Sequence, residues 1–288
     1  MQIATDATSR IPREKLLQIA RSLPADLSVL AQLGEMLQDF NTELGEIATL
    51  LRRDVALGSR IIRISNSAAY GGNGEIASIE AAVNRVGFGE VMKLVGTGAV
   101  SRLAEQALDA YGISAEDLRS NMLFGAFAGE AVARAAGLDP KMAYTAGLVR
   151  TLGIMVLNKA WDQIEKVPSF DPARWATYSA WEENHFGLHH AAIAALILNE
   201  WRFPAEMHEA IKGHYLTTAA DLELKLAVVL NLSNGLAERK GRGLPGEKTW
   251  WEITPQKLDA LGLSEADLEK AAETAETACT TALLAFSP

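Results

Sequence analysis

Apolar residues recur along this chain at the spacing of an α-helix, and this periodicity limits the folds that are open to it. Ile79, Ala82, Val83 and Val86 fall at positions i, i+3, i+4 and i+7, which places them on one helix face. No stretch of the sequence alternates apolar and polar residues in the manner of a half-buried strand. The sequence therefore predicts an all-α fold built from many helices.

Residues that favour helix starts divide this pattern into separate helices. Ser114 and Asp117 have the spacing of a capping box, with Asp in place of the more usual Glu. Asp171 precedes Pro172, an order that suits a capping residue followed by proline at the first helical position. We expect one helix to begin just after Ser114 and another just after Asp171.

The composition excludes several classes of protein. Of the 288 residues, 49% are hydrophobic and 22% are charged, which is ordinary for a globular protein and excludes wholesale disorder. A single cysteine, Cys279, excludes an intramolecular disulfide framework and fits a reducing compartment. The longest uninterrupted apolar run, residues 191–198, is far shorter than the roughly 18 residues that a membrane-spanning helix needs. We expect a cytoplasmic protein that does not enter a membrane.

The net charge of −9 argues against nucleic acid as a partner. The chain has 27 basic and 36 acidic residues, whereas tight non-specific binding to nucleic acid or anionic lipid needs dense Lys and Arg. Four arginines, Arg52, Arg53, Arg60 and Arg63, form a local basic cluster. Arg60 and Arg63 would share one face if residues 57–65 are helical. One interpretation is that they hold a phosphate or an acidic partner. The favoured interpretation is a solvated face that pairs with nearby acids.

All the histidines lie in one region, and this is the strongest local signal for chemistry. They are His185, His189, His190, His208 and His214. His185 and His189 are four residues apart, so a continuous helix would place both on one face as potential metal ligands. Gly187 lies between them and weakens the helix. The alternative is that some histidines are surface residues and others form hydrogen bonds inside the core.

The segment Tyr144–Gly153, with the sequence YTAGLVRTLG, resembles the motif that carries the His-Asp pair of the HD-superfamily phosphohydrolases. Its apolar frame and both glycines agree with that motif, but Arg150 and Thr151 occupy the places of His and Asp. A guanidinium has no lone pair to give and stays charged at physiological pH, so Arg150 would repel a metal cation. Asn234 falls near the place of the superfamily's distal Asp ligand, as a neutral substitute.

Several blocks in the right order make the chain similar to the HDOD domain family from about residue 16 to about residue 215. The blocks are Arg63–Gly71 (RISNSAAYG), Ser78–Gly87 (SIEAAVNRVG), Phe186–His190 (FGLHH), Trp201–Pro204 (WRFP) and Ala210–His214 (AIKGH). The Asn-Ser-Ala block and the Trp-Pro step are the specific ones. Three residues depart from the family pattern, which often has Pro, Gly and a second His at the places of Val55, Ala194 and Tyr215.

This resemblance implies an all-helical module that is related to the HD-GYP cyclic-dinucleotide phosphodiesterases but generally lacks their metal ligands. It places an N-terminal extension at 1–15, a helical half at 16–112, an HD-like half at 113–215 packed on it, and added helices at 216–288. Such modules occur in bacterial signalling proteins and are usually regarded as regulatory. We therefore expect a non-enzymatic module that binds an unidentified signalling protein and needs neither a metal nor a cofactor.

Two other functions remain open at this point. One is a metal-dependent phosphohydrolase whose ligands come from the cluster between His185 and His214. The other is a sensor that binds a cyclic dinucleotide without turnover, through the basic cluster or through a residual pocket at the former active site. Glu182, Glu183, His190 and His214 are the candidates for lining such a pocket.

A polar block beside the basic cluster is a further candidate surface. Asn66, Ser67 and Tyr70 are the residues that would bind a ligand or a partner there. The other interpretation is that Asn66 and Ser67 form hydrogen bonds with the backbone at a helix end, a role that short polar side chains fill well. We favour this second interpretation.

Overall fold

The computed structural model describes residues 11–23, 32, 36, 44–52, 55–66, 75–164 and 167–286. These residues form α-helices joined by turns, with no β-strand among them and one isolated antiparallel bridge between Leu108 and Ile113. The prediction of an all-α fold is therefore confirmed. Across the same described ranges, no helix has both the length and the apolar character that crossing a membrane requires.

The helices are numbered in chain order and fall into an N-terminal and a C-terminal group. The first group is α1 (Arg13–Arg21), α2 (Leu44–Leu51), α3 (Val55–Ser65), α4 (Ile79–Val86) and α5 (Phe88–Leu103). The second group is α6 (Ala115–Ala135), α7 (Pro140–Val149), α8 (Leu152–Trp161), α9 (Tyr178–Phe186), α10 (His190–Glu200), α11 (Ala205–Gly213), α12 (Ala219–Glu223), α13 (Lys225–Arg239), α14 (Pro255–Leu261) and α15 (Glu265–Phe286).

Local hydrogen bonds support one of the two predicted helix starts and contradict the other. Ser114 Oγ accepts from the backbone N–H of Asp117 at 3.0 Å, so α6 begins where the capping pattern predicts. The helix predicted just after Asp171 is wrong. The Asp171 carboxylate accepts from a backbone N–H two residues later at 2.9 Å and closes a turn instead. Helix α9 begins only at Tyr178, where Thr177 is the cap.

Contacts divide the chain into two compact units. The larger unit holds the described residues of Met1–Leu23 and Leu103–Cys279, and the smaller holds those of Pro24–Arg102 and Thr280–Pro288. In the smaller unit, α4 packs against α2 and α3. Helix α4 buries Ala82, which belongs to the face that the periodicity predicts.

Helix α6 organises the larger unit, because it packs along both α7 and α13. Every residue of α13 from Leu226 to Ala237 is buried. A helix that is buried on all its faces lies inside the core and not at its surface. The core of the larger unit therefore includes a helix from the C-terminal part of the chain.

Two glycines of the segment Tyr144–Gly153 let helices α7 and α8 approach their neighbours closely. A Cβ atom on Gly147 would lie 2.8 Å from the carbonyl oxygen of Gly125 on α6. A Cβ atom on Gly153 would clash with the backbone carbonyl of His190, at the start of α10. These contacts need residues without a Cβ, and they seat the turn between α7 and α8 in the interior of the larger unit.

Candidate functional site

Arg150 lies in the turn between α7 and α8, with a side chain that is 1% exposed. Its guanidinium donates from Nη1 to Glu247 Oε1 at 2.6 Å and from Nη2 to Asn121 Oδ1 at 2.8 Å. The guanidinium carbon lies 5.4 Å from the ring centre of Trp251. Burial opposes the charge on this group, but the adjacent Glu247 carboxylate outweighs burial and raises the pKa of Arg150.

The Glu247 carboxylate is ionised opposite Arg150. Burial raises the pKa of Glu247, but the charge of Arg150, the hydrogen bond from Arg150 and the charge of His190 more than reverse that effect. The pKa of Glu247 therefore lies well below its ordinary value. Arg150 and Glu247 form a fully buried ion pair.

A second buried pair joins the start of α10 to α9. His190 Nδ1 lies 2.7 Å from Glu182 Oε2, and the backbone N–H of His190 donates to the same oxygen at 2.8 Å. The other carboxylate oxygen of Glu182 accepts from the hydroxyl of Tyr111 at 2.6 Å. The side chains of His190 and Glu182 are both 0% exposed.

Tyr215 joins the two pairs into one network, and its single proton determines the charge of His190. The hydroxyl of Tyr215 lies 2.5 Å from Glu247 Oε1 and 2.6 Å from His190 Nε2. A carboxylate oxygen only accepts, so the hydroxyl donates to Glu247 and accepts from His190. His190 is then protonated on both ring nitrogens. Burial lowers the pKa of His190, but the neighbouring Glu182 carboxylate outweighs burial and raises the pKa to about 9.

The network balances its charges inside the core. Arg150 and His190 carry positive charges, and Glu182 and Glu247 carry negative ones. Buried charges are tolerated when they are paired and hydrogen-bonded in this way. The arrangement therefore holds four ionised side chains away from water without a net charge.

His214 is the neutral member of the cluster. Its Nδ1 donates to the carbonyl oxygen of Ile211 at 2.6 Å, and its Nε2 lies 3.4 Å from Arg150 Nη1 as an acceptor. Burial is the largest cause that lowers the pKa of His214, and the nearby charge of Arg150 adds to it. Asn231 on α13 donates to the carbonyl oxygen of His214 at 2.9 Å and so fixes the end of α11.

The structure brings together most of the residues that the sequence singles out as candidates for a degenerate metal site or a residual pocket. Arg150, Glu182, His190 and His214 belong to the buried network, whereas Glu183 is exposed on α9. Two other predicted positions are buried, but among the described residues neither the Thr151 hydroxyl nor the Asn234 amide oxygen has a hydrogen-bond partner. Thr151 lies at the start of α8, and the amide of Asn234 donates to the carbonyl oxygen of Leu230 at 2.7 Å.

The histidines that suggested a metal site do not share a helix. Helix α9 ends at Phe186 and is followed by Gly187, which has a left-handed φ of 78°, and His189 is the residue just before α10. The ring of His185 packs against Trp181 instead, with the centroids 5.9 Å apart. Among the residues that the structure describes, no group of three His, Cys, Asp or Glu side chains is arranged to hold a metal ion.

In the smaller unit, Asn66 bonds to the backbone. Its amide donates to the carbonyl oxygen of Ile76 at 2.7 Å and accepts from the N–H of the same residue at 2.8 Å. This is the structural role that the sequence favours for Asn66. Arg60 and Arg63 lie on α3, the first partly buried and the second exposed. The predicted positions Ser67 and Tyr70 lie outside the described residues.

Several members of the network are not predicted from the sequence. Tyr215 stands where the family pattern often has a second His, and this departure was a signal for a changed hydrogen-bond partner. Glu247 follows a glycine-rich loop and has no distinguishing motif around it. A buried Arg150 requires an acidic partner, but nothing in the sequence indicates which of the 36 acidic residues supplies it. Asn121 and Trp251 carry no motif either.

Comparison with known proteins identifies relatives over most of the chain. An uncharacterised protein of Treponema pallidum (strain Nichols) is 24% identical over 259 residues, which cover 88% of this chain and 49% of that protein. The chain thus spans about half the length of the curated relative that it matches.

Crystal structures of three bacterial proteins share the helical fold. A candidate phosphohydrolase of Shewanella amazonensis SB2B is 22% identical, with a TM-score of 0.67 over 93% of this chain and 98% of its own. An HDOD domain protein of unknown function from Geobacter sulfurreducens is 21% identical, with a TM-score of 0.64 over 95% and 98%. A candidate signal transduction protein of Marinobacter aquaeolei VT8 is 18% identical, with a TM-score of 0.64 over 94% and 64%.

The family itself is established by a direct match. The model of the HDOD domain family matches residues 23–217, which is more than half of the chain and includes Arg150, Glu182, His190 and His214. This chain therefore belongs to the HDOD domain family.

Proposed function

We propose that this chain is a non-enzymatic bacterial signalling module that acts by binding a partner protein, and that its former metal site holds an ion pair instead. The observation that carries the proposal is the buried contact of 2.6 Å between Arg150 and Glu247. Arg150 takes the place of a metal-binding His in the motif that the segment resembles. A guanidinium there supplies a permanent positive charge where a phosphohydrolase would bind its cation.

The remaining polar groups support the proposal because they are already engaged with one another. Both oxygens of Glu182 lie within hydrogen-bond distance of His190 Nδ1, and one of them also accepts from the Tyr111 hydroxyl. Both ring nitrogens of His190 face oxygen atoms, and Nδ1 of His214 bonds to a backbone carbonyl. A metal would have to break several buried hydrogen bonds to recruit these ligands, and each unsatisfied buried group costs about 1–3 kcal/mol.

The regulatory half of the proposal is supported by the relatives. The similar protein from Marinobacter aquaeolei is named a candidate signal transduction protein, and the one from Shewanella amazonensis a candidate phosphohydrolase. The buried ion pair favours the first of these two classes for this chain. The expected partner is a signalling protein that binds the surface of the module, with the network acting as part of its rigid core.

The experiment that tests the proposal measures metal and hydrolysis on the same sample. The untagged full chain, purified without chelator, is analysed for Mn, Fe, Co, Ni and Zn by mass spectrometry. It is then assayed with bis(p-nitrophenyl) phosphate in the presence of added Mn²⁺. We expect less than about a tenth of an equivalent of each metal, and no hydrolysis above that of the buffer, since water activation needs the ion.

The variants His190→Ala and His214→Ala distinguish the alternatives, with His185→Ala as the matched control. About one equivalent of a metal that is lost in the first two variants and kept in the control would overturn the proposal in favour of a phosphohydrolase. Binding of a cyclic dinucleotide by the wild type, without its hydrolysis, would instead favour the sensor.

A further inference from the structure

Two hydrogen-bond donors and one further cation converge on a single oxygen of Glu247. Its Oε1 lies 2.6 Å from Arg150 Nη1, 2.5 Å from the Tyr215 hydroxyl and 3.6 Å from His190 Nε2. Asn121 accepts from the other side of the guanidinium at 2.8 Å and fixes its direction. Buried donors that the fold aims at one oxygen form the geometry by which proteins bind oxyanions.

Glu247, whose carboxylate these groups face, lies outside the residues that the family model matches. The HDOD model covers residues 23–217, which include the three groups that face Oε1. Glu247 lies in the segment 240–254 between α13 and α14, directly before a short 3₁₀-helix (Lys248–Trp250). The chain thus supplies the positive site from its HDOD region and the anion from its C-terminal addition.

Only one oxygen of the Glu247 carboxylate, Oε1, forms hydrogen bonds with these groups. Among the described residues, its buried Oε2 has no hydrogen-bond partner, and neither does Nε1 of Trp251. The Trp251 ring lies against both the Arg150 guanidinium and Tyr215, at centroid distances of 5.4 Å and 5.3 Å. An acceptor oxygen and an indole donor beside the site therefore remain unused, which is unfavourable for groups held away from water.

We infer that Arg150, Tyr215 and His190 form an oxyanion-binding site for a small carboxylate, and that Glu247 is its built-in occupant. The contact is autoinhibitory, because a carboxylate from outside binds only when the Glu247 side chain leaves. This site goes beyond the proposed function, since it involves neither a metal nor a partner protein.

The covalent link explains why the site is closed in the free protein. A group attached to the same chain acts at an effective concentration of roughly millimolar or above. Leu244 and Trp251, which flank Glu247 in sequence, are 0% and 3% exposed and anchor the segment on both sides. A dissolved carboxylate competes poorly with Glu247, but it enters once that side chain is removed.

The test removes the built-in carboxylate and supplies a free one. Glu247→Ala is melted in about 100 mM sodium formate, acetate, phosphate or chloride at matched ionic strength. Salts such as phosphate stabilise folded proteins in general, so the wild type in each salt is the reference. We expect formate or acetate, relative to chloride, to raise the Tm of Glu247→Ala by at least about 2 °C more than it raises the Tm of the wild type. If the excess shift over the wild type is larger in phosphate than in either carboxylate, the assignment to carboxylates is overturned.

Two control variants separate site binding from general salt effects. Glu252→Ala removes an exposed carboxylate from the same segment and should behave as the wild type. Arg150→Met combined with Glu247→Ala should abolish the formate effect, because the guanidinium is gone. Equal Tm shifts in the wild type, Glu252→Ala and Glu247→Ala would show that no such site exists.

The inference stays testable if Glu247→Ala does not fold in chloride. The readout is then the yield of folded protein on refolding, measured by near-ultraviolet circular dichroism, in formate against chloride. A higher yield in formate supports the site, and an equal yield overturns it. The metal assay uses the wild type, so that a failure of the proposed function is seen separately from a failure here.

Discussion

Arg150 and His190 carry charge in the interior because each lies against its own carboxylate. Arg150 Nη1 is 2.6 Å from Glu247, and His190 Nδ1 is 2.7 Å from Glu182. Two cations and two anions balance, so the set is less costly to bury than any one member alone. Removal of one partner leaves an uncompensated buried charge, which typically costs about 3–5 kcal/mol.

The charge on His190 makes the stability of the protein fall at alkaline pH. Its pKa in the folded protein is about 9, above the ordinary 6.5. Its stabilisation is therefore complete below pH 6.5 and is lost as the pH rises through about 9. We expect the free energy of unfolding, measured by urea titration, to drop by about 3 kcal/mol between pH 6.5 and about 9.5.

His190→Gln is the control for this pH dependence, because glutamine keeps a donor for Glu182 but does not titrate. Its free energy of unfolding should be lower than that of the wild type at pH 6.5 and nearly constant above that pH. A flat profile for the wild type over the same range would mean that His190 is neutral. The Tyr215 proton would then point to His190 and not to Glu247.

At the scale of the helices, the position of the network depends on how closely α8 approaches the start of α10. A Cβ on Gly153 clashes with the backbone carbonyl of His190, which cannot move without its helix. We expect Gly153→Ala to lower the free energy of unfolding by about 1–3 kcal/mol, as overpacking of a core usually does. Urea titration at pH 7 measures this loss.

Gly125→Ala is the matched control for this helix contact. Gly125 is also a buried helical glycine of the larger unit, but its Cβ would lie 3.8 Å from Asn234 Oδ1, an ordinary van der Waals distance. We expect Gly125→Ala to be neutral or stabilising, since alanine suits a helix interior better than glycine by about 0.5–1 kcal/mol. Equal losses in both variants would refute the role given to the close approach.

At the scale of the whole molecule, the family match ends before part of the core begins. The match covers residues 23–217, whereas α13 follows it and is buried along Leu226–Ala237 against α6. We expect a chain that stops at residue 217 to lack a cooperative unfolding transition in urea, because it exposes the face of α6 that α13 covers. The full chain, measured in parallel, should unfold cooperatively.

The prediction would be wrong if the truncated chain unfolded in a cooperative transition and had the same helical circular dichroism per residue as the full chain. The region that the family match covers would then fold on its own. The C-terminal addition would serve only to supply Glu247.

The sequence by itself determined the helical class of the fold, because helix formation depends on residues three and four apart. It located the start of α6 at Ser114 for the same local reason. It also identified the segment around Arg150, whose glycines and apolar residues are contiguous. The helix predicted after Asp171 is wrong because a side chain and a nearby N–H closed a turn there, and local patterns do not rank these two outcomes.

Only the tertiary structure decided what Arg150 binds. Its partner Glu247 is 97 residues away, on a segment without regular periodicity, so no local pattern connects the two. The charge of His190 was decided in the same way, by a tyrosine hydroxyl that lies between it and Glu247. Burial and charge pairing depend on three-dimensional neighbours, because electrostatic energy depends on distance and local dielectric and not on separation along the chain.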